Sequence, residues 1–145
     1  MTDDEVRLYV YKTFVERGSP PTVAEVAQAL GVGENDVADA YRRLEQGRVI
    51  VLAPGTLNIW MANPLCAYPS PFRVETPRGS YFGVCAWDAL GVVAMLGGDG
   101  SVHTHCQDCA EPMTLRVGGG EYRGDDGVFH VAVPARRWWE NIAFT

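Results

Sequence analysis

Glycine punctuation constrains this chain more than any other feature. Apolar stripes at helical spacing fill the first 47 residues, and each one ends at a glycine. Val6, Tyr9, Val10, Thr13 and Phe14 share one helical face, and Gly18-Ser19-Pro20-Pro21 stops that helix. Thr22 and Glu25 form a capping box: the threonine caps the new helix and the glutamate reaches back to the cap's own amide. Val23, Val26, Ala27 and Leu30 line that helix, and Gly31 closes it in the left-handed conformation. A third helix over 34–46 carries Val37, Ala40, Tyr41 and Leu44 and ends at Gly47. Strands are predicted over 48–52 and 56–61 around the turn pair Pro54-Gly55.

Three helices and a hairpin in this order give a winged-helix-like unit over residues 1–63. Prolines at 64, 69, 71 and 77 favour extended backbone, so 64–78 reads as a connector whose Leu65, Tyr68 and Phe72 can still pack. From 79 to 145 the pattern is mixed α/β: a strand over 81–84, an apolar helix over 86–96, and strands over 102–106, 113–117 and 128–133. Pro134 then starts a short helix through Trp139. The fold class expected is α+β.

Charge narrows the function. Twelve bases against 18 acids give −6, and each half, split at Asn63, holds nine acids and six bases. Neither half offers the basic footprint that phosphate attraction requires, so nucleic acid is disfavoured as a partner. From Glu34 to Arg48 the acids Glu34, Asp36, Asp39 and Glu45 stand against Arg42, Arg43 and Arg48, and Arg42 and Arg43 read as solvated or paired with nearby acids. The longest uncharged apolar stretch, 89–98, is far too short for a bilayer. The N-terminus is acidic where a signal peptide is basic, and the expectation is a cytoplasmic protein with no membrane association. Four cysteines are too few for a disulfide scaffold, which leaves free thiols, metal ligands or nucleophiles.

Two clusters carry the chemistry. Cys85-Ala86-Trp87-Asp88 sits where a strand meets a helix. The helix dipole and nearby amides are expected to lower the thiol's pKa, and Asp88, three residues on, shares its face as a proton shuttle. The alternative is an ordinary buried cysteine followed by a first-turn aspartate. His103-Thr104-His105-Cys106-Gln107-Asp108-Cys109 is the densest ligand run. Its histidines share a strand face, and its Cys-x-x-Cys has the spacing of a zinc knuckle or redox pair. Cys85, Asp88 or a histidine would have to complete a metal set in space; otherwise these are surface histidines beside a buried cysteine. The four tryptophans read as core or rim packing, or as the wall of a substrate pocket, and His130 as a core histidine in the last strand.

In this order the features resemble the organomercurial (alkylmercury) lyase family. The resemblance rests on Cys85-Ala86-Trp87-Asp88 opening an apolar helix, on His105-Cys106 followed by Pro112 and Leu115, and on Val133-Pro134 leading into a tryptophan-bearing helix. It implies protonolysis of a carbon–mercury bond, with Cys85 as first catalytic cysteine, Asp88 as proton donor and Cys106 as a further, structural cysteine. The family's second catalytic cysteine is expected shortly before the last strand, where Gly124-Asp125-Asp126-Gly127-Val128 has none; Cys109 or Cys106 is the candidate replacement. A small-molecule substrate follows. No cofactor is required, and a soft metal ion bound by Cys85, His105, Cys106 and Cys109 is the candidate ligand, with mercury as substrate or product, or zinc or copper. The alternatives are a diverged member that binds a metal or acts on another small molecule, and a metal-responsive winged-helix regulator.

Overall fold

The computed structural model describes residues 1–142. Its architecture is α+β. Helices α1 (Asp3–Arg17), α2 (Val23–Leu30) and α3 (Glu34–Gln46) precede a three-stranded sheet of β1 (Val51–Leu52), β2 (Ile59–Ala62) and β3 (Leu65–Cys66), in the order β1-β2-β3. The expected capping box forms: Thr22 N donates to Glu25 Oε2 at 2.7 Å and Glu25 N to Thr22 Oγ1 at 3.3 Å. Thr2 and Glu5 repeat the device at α1. Arg42 is held by Asp39 at 2.7 Å and Arg43 by Asp3 at 2.7 Å.

A five-stranded antiparallel sheet follows, in the order β5-β4-β6-β7-β8, from β4 (Arg73–Thr76), β5 (Gly79–Phe82), β6 (Gly100–His105), β7 (Pro112–Gly118) and β8 (Glu121–Tyr122). Helix α4 (Ala86–Met95) connects β5 to β6 and packs on β4 and β6. The proline-rich connector supplies two strands: β3 completes the first sheet, and β4 lies inside the second. The two sheets share one core, in which Phe14, Tyr41 and Ile50 join Val74, Tyr81, Val92 and Val102. Tyr81 Oη donates to the Val15 carbonyl at 2.7 Å and Tyr11 Oη to that of Asn63 at 2.8 Å, tying the helices to the later half.

The expected strand over 128–133 does not form. The reason lies at the outer edge of β7, which other residues occupy. β8 takes part of it, and the chain beyond continues along it, with Arg123 N donating to Arg116 O at 2.8 Å and Asp125 N to Thr114 O at 3.0 Å. No β7 edge is left for 128–133, so Val128 and Val131 stay exposed. His130, expected in the core, is likewise exposed. The last helix is a short 3₁₀ turn, Ala135–Glu140, whose Trp139 ring lies 5.4 Å from the Arg48 guanidinium.

Candidate functional site

Sheet topology brings the thiols to one end of the molecule. β5 and β6 both run antiparallel to β4, which lies between them, so their chains leave in the same direction. Arg73 pairs with Phe82 on one side and His103 on the other, so those exits lie two strand spacings, about 10 Å, apart. Cys85 follows the first exit and Cys106 the second.

Cys85 is the N-cap of α4. Its extended backbone (φ −142°, ψ −179°) turns the sulfur onto the first helical turn, where it accepts the Asp88 N–H at 3.4 Å. The thiol in turn donates to Asp88 Oδ2 at 3.2 Å. The helix can start so close to β5 because residue 83 is glycine: a Cβ there would lie 2.5 Å from Ala89 N and Cα. The pair is half-buried.

The sequence reading of an acidified Cys85 is overturned. Burial pushes this thiol up to about 11, and the neighbouring Asp88 carboxylate adds to the rise; the amide N–H groups of Asp88 and Trp87 oppose it without prevailing. Burial also lifts Asp88 above the usual aspartate value, against the hydrogen bond from the thiol. With its pKa at about 11, Cys85 keeps its thiol proton and donates it to Asp88 Oδ2.

A residue that sequence reasoning passed over lies nearby. Cys66, on β3 beside the Leu65–Gly83 bridge, is buried and donates to the Tyr68 carbonyl at 3.3 Å. Burial raises its pKa first, and the Asp88 charge raises it further. Nothing local to Leu65-Cys66 marks it; the strand bridge does. Thr104, on the face of β6 opposite His103 and His105, carries a buried hydroxyl with no hydrogen-bond partner among the described residues. At the rim, Trp87 is 72% exposed and meets Phe129 edge-on, centroids 6.4 Å apart.

The second cluster stands apart. Cys106 and Cys109 occupy the β6–β7 turn, the first half-buried and the second exposed. The Cys106 thiol is lowered, first by a backbone N–H from Cys109, then by one from Asp108 and by the Cys109 thiol. His103 and His105 share the exposed face of β6, as their spacing predicts. His103 Nε2 lies 3.1 Å from Ser101 Oγ and 3.4 Å from Glu75. Among the described residues no three His, Cys, Asp or Glu side chains converge on a common metal position. The stretch 124–128, where the resemblance sets a second cysteine, holds Asp125, whose carboxylate accepts the Thr114 N–H at 2.7 Å.

Comparison with known proteins bears on the family. The sequence profile of MerB, alkylmercury lyase, matches residues 65–145, more than half of the chain. The chain belongs to the alkylmercury lyase family. Among solved structures, the mercury-bound form of MerB2 shares the fold, with a TM-score of 0.65 at 21% identity. That match covers 82% of this chain, which spans 58% of the other's length. No curated sequence matches the chain. Among the described residues no helix is long and apolar enough to cross a membrane.

Proposed function

We propose that the protein cleaves the carbon–mercury bond of small organomercurials by protonolysis, with Cys85 as the mercury-binding thiol and Asp88 as the proton carrier. The observation that carries this reading is the 3.2 Å contact between a half-buried thiol and a half-buried carboxylate at the start of α4. Mercury is soft and thiophilic, so it replaces the thiol proton even where that proton is held tightly. As the sulfur–mercury bond forms, the S–H bond breaks and its proton passes to Asp88 Oδ2. Burial favours the protonated carboxyl, which is then an acid matched to its task. The carbon–mercury bond breaks as its electron pair takes that proton, giving hydrocarbon and sulfur-bound mercury. A low-molecular-weight thiol supplies further sulfur donation and carries the metal away. Trp87 and Phe129 form an apolar lip on which the organic group rests.

The test is incubation with phenylmercuric acetate under excess monothiol, with benzene measured by gas chromatography. Multiple turnovers are expected from the wild-type chain and none from Cys85→Ser. Benzene no faster than in thiol alone rejects the reading.

A further inference from the structure

We infer that residues 126–132 form a strap that closes over the Cys85–Asp88 turn when an apolar group lies against Trp87. The strap belongs to the same site as the lyase reading and rests on it for its ligand class. Both of its ends are fixed. On the β7 side, Asp125 N donates to Thr114 O at 3.0 Å, and Thr114 N donates back to Asp125 Oδ2 at 2.7 Å. Tyr122 Oη donates to the Asp125 carbonyl. Gly124 is seated so close to the strand that a Cβ there would lie 2.7 Å from Leu115 Cα and Arg116 N. On the helical side, Trp138 Nε1 donates to Val133 O at 2.6 Å, and the Trp139 ring lies 5.4 Å from the guanidinium of Arg48, just past α3.

Between these anchors, no backbone–backbone hydrogen bond among the described residues holds 126–132. A segment without such bonds shifts at little cost. Its side chains stand in water although they are apolar: Val128 is 94% exposed and Val131 60%. Phe129, between them, already touches the site, meeting the Trp87 ring edge-on at 6.4 Å. Trp87 directly precedes Asp88 and is itself mostly exposed. Apolar side chains from the strap and from the helix thus face water on either side of one contact, which is the arrangement of an open state. An apolar group carried on the Cys85 sulfur gives both sets a common surface, and its burial draws the strap down. Closure expels water from the thiol–carboxylate pair, so the proton held there goes to the substrate and not to solvent.

The decisive experiment puts an apolar group on Cys85 without mercury. The full chain is treated at mildly alkaline pH with benzyl methanethiosulfonate. A disulfide forms between the Cys85 sulfur and the benzylthio group, methanesulfinate leaves, and the thiol proton passes to buffer. Peptide mapping locates the label, and hydrogen–deuterium exchange read by mass spectrometry follows 126–132. Exchange there is expected to slow about 5–10-fold with the benzyl label and less than about twofold with the methyl label from methyl methanethiosulfonate. The Cys85→Ser chain, labelled in parallel at its other thiols, shows no slowing, and Trp87→Ala abolishes the benzyl effect. Unchanged exchange in the benzyl-labelled chain, equal slowing with methyl, equal slowing in Cys85→Ser, or a Cys85 that takes neither reagent overturns the strap. Slowed exchange in a chain that releases no benzene from phenylmercuric acetate supports the strap and rejects the lyase reading. Benzene release with unchanged exchange does the reverse.

Discussion

The molecule sets two thiol sites at one end of one sheet and gives them opposite electrostatics. Cys85 is half-buried against a carboxylate, and its pKa is raised to about 11. Cys106 sits in an open turn under converging N–H groups, and its pKa is lowered. Both sulfurs accept backbone amides, so amide donors alone do not decide thiolate character. What differs is solvent and the neighbouring charge. Asp88 lies in hydrogen-bond contact with Cys85, where little water screens it, while Asp108 beside Cys106 opposes the amides only weakly in the open. A raised thiol suits a site that must keep a proton to spend on carbon.

The sharpest way to break this contrast is to remove the proton carrier. Asp88→Asn keeps shape and takes away the acid, so kcat for benzene release from phenylmercuric acetate falls about 10²–10⁴-fold. If Asp88→Asn retains full turnover, Asp88 carries no proton and the distinction between the two sites loses its chemical meaning.

Next in size is the backbone approach that seats the first site. Gly83→Ala drives a Cβ to 2.5 Å from Ala89, and overpacking of this kind costs about 1–3 kcal/mol. The same insertion shifts the start of α4, so activity falls together with the urea midpoint. Gly91→Ala is the control. Its Cβ would meet Pro64 at an ordinary 3.4 Å within the same helix, and alanine there stabilises by about 0.5–1 kcal/mol. Loss of stability in both variants would mean that α4 tolerates no added carbon and that Gly83 has no special place.

How these features relate to the sequence is uneven, for physical reasons. The helices were legible because caps are local: Thr22 finds Glu25 three residues away, and Cys85 finds Asp88 at the same interval. Position was therefore readable at the candidate site, and pKa was not. The dipole and amides are written in the local sequence, whereas burial of Cys85 is set by tertiary packing. β4 escaped notice because prolines at 69, 71 and 77 flank it, yet Arg73–Thr76 contains none and pairs on both edges. The apolar run at 128–133 misled in the opposite direction. It has strand composition, but β8 and Asp125 already occupy the edge it would need. Cys66 was invisible for the same reason, since only the Leu65–Gly83 bridge brings β3 toward α4.

Titration separates the two sites without substrate. A thiol whose folded pKa lies above its unfolded value binds more protons in the native state. Its contribution to stability is complete below about 9 and is lost as pH rises toward about 11. Cys85 is partly exposed, so screening reduces the effect to roughly 1 kcal/mol. Urea midpoints of the wild-type chain should fall across that window, and Cys85→Ser should flatten the slope. Cys106 has the opposite sign: its lowered pKa favours the folded state as pH rises through the thiol range, so Cys106→Ser should leave the decline intact or steepen it. A slope that survives Cys85→Ser unchanged would assign the alkaline loss to another group.

The smallest expected effect concerns the lip. Trp87 is strongly exposed for an aromatic of its size, and Phe129 is its edge-on partner. An aromatic contact of this kind is worth about 0.5–1.5 kcal/mol, so Trp87→Ala should raise KM for phenylmercury about 2–10-fold while leaving kcat near wild type. Methylmercury offers no ring to that surface, and its KM should move less. This ratio separates a substrate lip from a structural prop, because a change that disturbed α4 would lower kcat for both substrates alike. Equal shifts in KM for the two mercurials would place the organic group elsewhere. The exposure of Trp87 would then reflect only the missing β7 edge, which leaves Phe129 and its neighbours outside the sheet.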